Sequence, residues 1–589
     1  MFGIVFSAWI FFIISLWIPL SRAHAIIHDL ILILLSILIR SIRIKKKSKT
    51  IQILNLGTYI FGVILPSFLV GYLVWDGLLN EGFYTHGASY GDFPFHMNII
   101  SSFVHGCNKN RKYLFDIVSP FYSHQKLAYP FIPNYYAAVL MESFKLSIHD
   151  AAVLPSIPVI VSLYVIFVDL IFAFSNSQMA AVIGVYLFTF NGGLGFQSVF
   201  NEQRRKYWLT DYVRYWGKDM QEFWLQATSH ILLPQRASLY SLPIAWSILL
   251  ILISCNNNRS IKEFIAAGLL VAELPQVHPH SIIALAQWGG VFAIITFPYR
   301  KPAKVKIFIN KYLALGIVAI IFGAFQCVTY TGRTNKNKFM KIQPVNRGEY
   351  QKNILVLWWR ALGPFIVMSF IHAPIIFNKY QFQCYIPSLV VFLIGNIIVY
   401  QPWALDNTKI WNATFIPIAT SAVALFLSKL LLHGNVGKII SLCLIFFCTF
   451  SGILCVRSTF KCRSIEWDIY KAPYEIANFV INKTPPDSIW MTDNQHDNPI
   501  VTLGGRQVFV GYIGWLMNHG LDYNERRAVM NRLCKDPENT TEIDMYNITY
   551  VGLRYSNLEY KFKPPKNTKK WEHVYSSVVF DVWHRTNVY

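Results

Sequence analysis

The string GDFPFH, residues 91–96, sets an acid, Asp92, and an imidazole, His96, among glycine, proline and two phenylalanines. Spaced i to i+4, the two side chains share one face if the stretch is helical. A carboxylate flanked by Phe93, Pro94 and Phe95 is partly desolvated, which raises its proton affinity toward the range of a general base. The same aspartate also suits the N-cap of a following helix with proline in its first turn. His96 can hold an anion, ligate a metal or satisfy a neighbour. His278 and His280, across Pro279, make with Asp92 and Glu273 a candidate set for a divalent ion; imidazoles at such positions also serve as plain hydrogen-bonding groups. Arg236 in LLPQR, Arg360 after WW and Lys409 in DNTK put cations at helix ends, where they hold a phosphate or simply anchor the helix. Arg506, Trp515, His519 and Asp522 surround a glycine-rich turn, suited to gripping a sugar or acceptor, or to covering a cavity as an ordinary folded cap.

What must position these groups is a membrane domain. Of the 589 residues, 54% are hydrophobic, 16% aromatic and only 14% charged, more apolar surface than a soluble fold of this size can hide. Apolar runs of roughly 20 residues recur from residue 2 to 456, enough for about 13 helices across a hydrocarbon core about 30 Å thick. The first run ends in SRAHA, which resembles a cleavage site, yet no positive charge precedes it, so it reads as a retained helix. The nine cysteines are scattered and suggest neither a metal nor a disulfide framework. The formal charge of +22 belongs to loops, because no zinc-finger spacing, basic helix or RNA-binding motif points to nucleic acid.

Basic clusters at 40–49, 299–306, 377–380 and 428–438 fall in alternate loops, as cytoplasmic loops do. Lys336, Lys338 and Lys341 crowd an opposite, outward loop against that rule. Acceptor patterns for N-glycosylation at Asn412, Asn482, Asn539 and Asn547 lie on the outward side in this scheme, whereas that at Asn258 does not. GDFPFH, NGGLGF (191–196), LLPQR, HPH, WWR and QPWALDNTK (401–409) then all sit at outward helix ends or in the loops beyond, where one cavity can collect them. The glycines of NGGLGF allow a close approach by lipid or by another backbone. From about residue 457 the chain turns polar, with helices expected at 471–483 and 523–534 and strands at 488–492, 548–553 and 577–584.

The ordered strings GDFPFHMNIISSF, LAYPFIPNYYAAVL, FNGGLGF, LLPQRASLYSLPI, PWALDNTK and GGRQVFVGYIGWLMNHGLDYNERR, spread over about residues 85 to 530, resemble a group of multi-spanning GT-C-like proteins. The GT-C glycosyltransferases are integral membrane enzymes that take sugars from polyprenyl phosphates. The early helix pair at 2–42 departs from the simplest form of that pattern. The resemblance implies an α-helical polytopic membrane protein of about 11–13 transmembrane helices with a small C-terminal lumenal α/β domain. Its expected divisions are 1–50 (hydrophobic helices and a basic loop), 51–456 (the GT-C-like membrane domain) and 457–589 (the lumenal domain). It further implies transfer of a sugar from a polyprenyl (dolichyl) phosphate to a lumenal acceptor; the outward glycosylation patterns favour the endoplasmic reticulum over a bacterial plasma membrane. Asp92 is then the base, assisted by His96. Arg236, Arg360 and Lys409 hold the lipid phosphate, and Arg506, Trp515 and His519 meet acceptor or sugar. No cofactor is required, with a divalent metal left open at His278, His280 and Glu273. Membrane lipid is the expected partner. Two other readings use the same cavity: a transporter or flippase of a lipid-linked or anionic solute, and an inactive GT-C-like assembly partner. A transporter favours matching halves with broken helices in equivalent positions, and no such internal repeat is visible.

Overall fold

The structure is a computed structural model that describes every residue except 1, 42–53, 81–83, 201–212, 214–222, 257–259, 328–339, 348–352, 462, 467–471, 539, 556–562 and 587–589. Seven described helices are long and apolar enough to cross a membrane, from Leu56–Gly77 to Gly434–Lys461, and up to nine if each of two bent pairs is one span. The protein is therefore a helical polytopic membrane protein. The span count among the described residues is lower than the number of apolar runs because several runs form short or broken helices. Gly3–Ile14 and Gln178–Thr189 are too short to span alone. Ile354–Leu362 and Pro364–Ile375 meet at 111°, and Ala404–Ala413 and Phe415–Leu431 at 59°. The sharper bend has a local cause. Gly363 adopts φ +57°, which a side chain disfavours, and Pro364 offers no N–H to continue the helix.

Helix Arg236–Cys255 lies at the centre of the bundle, with 72% of its apolar window buried, and packs on the span that ends at Ser175. Pro302–Cys327 is peripheral, only 11% buried, with Leu313, Ile317, Ile320 and Phe322 on its outer face. Proline opens Pro279–Thr296 and Pro302–Ala319, where a missing N–H costs nothing, and Asn378 with Gln381 forms a reciprocal cap on Lys379–Ile397.

The tail folds around a five-stranded sheet in the order 507–508, 489–491, 550–554, 580–585, 571–576. The first two pairings are parallel and the last two antiparallel. Helices Ala472–Lys483 and Asn524–Lys535 lie close to their expected places, as do the strands at 489–491, 550–554 and 580–585. The strand Trp571–Ser576 is not evident in the sequence, because WEHVYS carries three exposed charged or polar residues, Glu572, His573 and Ser576, on a sheet edge. The tail does not hang free. Tyr84–His86, in the first long loop, pairs antiparallel with Arg463–Glu466, and Ser101 Oγ donates to the Thr502 carbonyl at 2.7 Å. Lys341 lies in a short strand paired with Ile398–Val399, while Lys336 and Lys338 lie outside the described residues.

Candidate functional site

Helix Ser89–Val104 begins three residues before Asp92, so the aspartate stands in the first turn and Ala88, not Asp92, holds the cap position. Pro94 sits inside the helix and cannot bond back to the Tyr90 carbonyl. The neighbouring Gly91 carbonyl accepts the indole N–H of Trp515 at 3.0 Å. One turn beyond Asp92, the Phe95 ring stacks on His519 with centroids 5.2 Å apart and meets Trp515 edge-on at 5.3 Å. The tail is thus locked onto the turn that carries the acid.

Beside this turn opens a cavity of about 510 Å³, in the size range of small-molecule sites. Its walls come from at least six places far apart in the chain. Asp92, Phe95 and His96 line one side, and Tyr129 and Pro130 of the LAYPFIP string another. Gln235, Ala237 and Ser238 come from the start of one helix, and His278 and His280 from the start of a second. Tyr400 and Gln401 come from a loop, Asp406 and Lys409 from the bent segment that follows it, and Trp515, Asn518 and His519 from the tail. Lys409 Nζ lies 2.8 Å from Asp406 Oδ1, both largely buried, so the cation enters the cavity as half of an ion pair. Burial pushes the His96 imidazole down to about 3 and that of His519 to about 4. Both are neutral at physiological pH and act there as hydrogen-bonding groups.

The structure brings together Asp92, His96, Lys409, Trp515, His519, His278 and His280. It does not bring Arg236, which was expected at the phosphate. That guanidinium is buried and donates to the carbonyls of Ala152 at 2.6 Å and Pro133 at 3.1 Å, so the charge is spent joining three segments of the bundle. Arg506 is likewise absent from the cavity. It is fully buried in the tail, where it donates to the carbonyls of Val480, Thr484 and Gly504 and to the His105 carbonyl at the end of the Asp92 helix. Arg360 is not among the lining residues; it sits on the short arm beyond the 111° bend. Gly193 packs so closely there that a Cβ would lie 1.7 Å from the Arg360 carbonyl oxygen, so the NGGLGF glycines serve backbone packing.

The candidate metal set does not assemble. Among the described residues no three of His, Cys, Asp and Glu converge to hold an ion. His278 is held through Nδ1 by the hydroxyls of Ser241 and Ser281 at 3.0 and 2.9 Å, His280 meets the Gln401 amide, and Glu273 is not on the cavity wall. Asn412 cannot display a glycan: it is fully buried within Asn407–Ala413, and its amide donates to the Thr408 carbonyl. Asn482 and Asn547 are exposed, and Asn539 lies outside the described residues, as does Asn258. Sequence reasoning missed Tyr129, Gln235, Gln401, Asp406 and Asn518. The strings containing them were visible, but nothing in their spacing separates lining positions from packing ones.

No family model matches the sequence, and no curated protein matches it. The solved structures do. The archaeal oligosaccharyltransferase AglB from Archaeoglobus fulgidus, in complex with an inhibitory peptide and a dolichol-phosphate, aligns over 85% of this chain and 69% of its own at 11% identity and TM-score 0.53. An Archaeoglobus fulgidus oligosaccharyltransferase in complex with zinc and sulfate aligns over 89% of this chain and 72% of its own, at 11% identity and TM-score 0.51. With its bundle of apolar spans, its cavity at the helix ends and its sheet-bearing tail, the chain has the fold of the GT-C membrane glycosyltransferases.

Proposed function

We propose that this chain is a membrane glycosyltransferase that moves a sugar from a polyprenyl phosphate, dolichyl in a eukaryotic endoplasmic reticulum, to a lumenal acceptor. In this reading residues 51–456 hold the lipid donor and residues 457–589 close the site. The observation that carries it is the single cavity that joins Asp92, His96 and Lys409 beneath the tail's Trp515 and His519. Its electrostatics suit the leaving group. The N-termini of the helices starting at Arg236 and Pro279 face the cavity, and with Lys409 they offer a phosphate positive ends and an ammonium.

The reaction is a single displacement. The acceptor gives its proton to the Asp92 carboxylate, and its heteroatom attacks the anomeric carbon from the face opposite the phosphate. The bond from that carbon to the phosphate oxygen breaks, and the phosphate departs with the bonding pair toward Lys409, leaving an inverted sugar. The apolar flank of Phe95, Tyr129 and Trp515 keeps bulk water from competing with the acceptor.

The experiment is transfer by purified protein from synthetic polyprenyl-phosphate sugars. Asp92→Asn keeps the shape and removes the base, and it is expected to lower turnover about 10²- to 10⁴-fold with little change in donor binding. Transfer that survives this change at the wild-type rate overturns the mechanism.

A further inference from the structure

One wall of the cavity is a continuous band of uncharged hydrogen-bonding groups drawn from two helix starts and the loop at 400–401. Ser238 Oγ donates to Gln235 Oε1 at 3.1 Å and lies 3.5 Å from His278 Nε2. The His278 ring is 5.1 Å from that of His280, and His280 meets the Gln401 amide. Behind the band, the Ser241 and Ser281 hydroxyls fix the orientation of His278. Asn518 of the tail lines the same space. Groups held in this way are pre-organised for a ligand.

Amides, hydroxyls and neutral imidazoles match sugar hydroxyls, which donate and accept equally well and so suit either imidazole tautomer. Charge decides which sugar. Among the described residues, the Asp, Glu, Lys and Arg side chains on the cavity wall are Asp92, Asp406 and Lys409 alone, and the last two are paired at 2.8 Å. An ammonium on the sugar would have to draw a carboxylate from that pair or from the base. A carboxylate on the sugar would compete with the leaving phosphate for Lys409. Among the described residues, nothing else on the wall would match either charge, which would be left desolvated. We propose that this band seats the transferred sugar and selects an uncharged hexosyl group over amino sugars and uronic acids. The inference rests on the sugar-transfer reading above.

The test uses the full chain in lipid nanodiscs with three synthetic polyprenyl phosphates, carrying glucose, an amino-deoxyglucose with a free amine, or glucuronic acid, and a sugar-free polyprenyl phosphate as reference. Binding and transfer are measured separately. The neutral donor is expected to bind at least roughly tenfold more tightly than either charged one, the penalty of one unmatched polar or charged group. Gln401→Leu should weaken the neutral donor about three- to tenfold and leave the sugar-free lipid unaffected. Gln401→Glu should shift preference toward the amino sugar, a gain that misfolding cannot imitate. The sugar seat is overturned if a charged donor binds as tightly as the neutral one, or if Gln401→Leu weakens the sugar-free lipid equally. Selective binding of the neutral donor without transfer leaves the seat standing and overturns the transfer reading. Transfer of all three donors at equal rates does the reverse.

Discussion

Trp515 reaches from the tail to the turn that carries Asp92, and its indole N–H is the link. Trp515→Phe keeps the ring against Phe95 and removes that donor, a loss of about 0.5–1.5 kcal/mol. Turnover should fall while donor affinity holds, because the change loosens the acid without emptying the cavity; equal loss of both would place Trp515 on the ligand instead. Arg236 makes the opposite case. With its guanidinium committed to the Ala152 and Pro133 carbonyls, Arg236→Leu should lower thermal stability by about 1–3 kcal/mol. The fraction that stays folded should keep its affinity for polyprenyl phosphate, and a selective loss of that affinity would return Arg236 to the site. The two residues show what was legible at this scale. Asp92, His96 and Lys409 stand out because acids, imidazoles and ammoniums are rare beside apolar runs, and the cavity holds all three. Arg236 stands out equally and points elsewhere, because the direction of a long side chain depends on which carbonyls lie nearby, and those belong to segments more than eighty residues away.

Among the elements, helix ends do the positioning. The apolar runs could be read directly, since span length is set by the thickness of the bilayer. The bends could not, because the break at Gly363–Pro364 depends on a backbone angle, and the runs on either side look like one helix. The junction between the Asp92 helix and the tail is equally local and equally hidden. Gly505 adopts φ +68°, and a Cβ there would lie 2.3 Å from the Ser101 carbonyl oxygen, while one on Gly106 would lie 1.7 Å from that of Gly505. Gly505→Ala meets both strain and crowding, and should cost about 1–3 kcal/mol. If this junction aligns the tail over the cavity, the variant should also lose transfer. Normal activity in a destabilised Gly505→Ala protein would show that the tail closes the site without needing that fit.

For the molecule as a whole, buried titrating groups set the response to acid. Burial holds His96 near 3 and His519 near 4, below the usual imidazole value, so in acid the unfolded chain binds more protons than the folded one. Their contribution is complete above about pH 6.5 and is lost as pH falls through the range between the unfolded and folded values. Asp493 and Glu273, pushed up by burial to about 6 and about 9, act in the opposite sense, but as two carboxyls against five imidazoles, since burial also lowers His105, His278 and His496. The unfolding midpoint should therefore fall on acidification from about pH 7 to 5, and a flat or rising midpoint would contradict these protonation states. The pairing of residues 84–86 with 463–466, and the Trp515 link to Gly91, also govern how the protein is made. A ribosome delivers the acid hundreds of residues before the indole that braces it, so a nascent chain holds an unfinished, open site throughout most of its synthesis. Chains released before Trp515 is made would carry the acid without the indole that braces it, so the proposed transfer would await delivery of the tail.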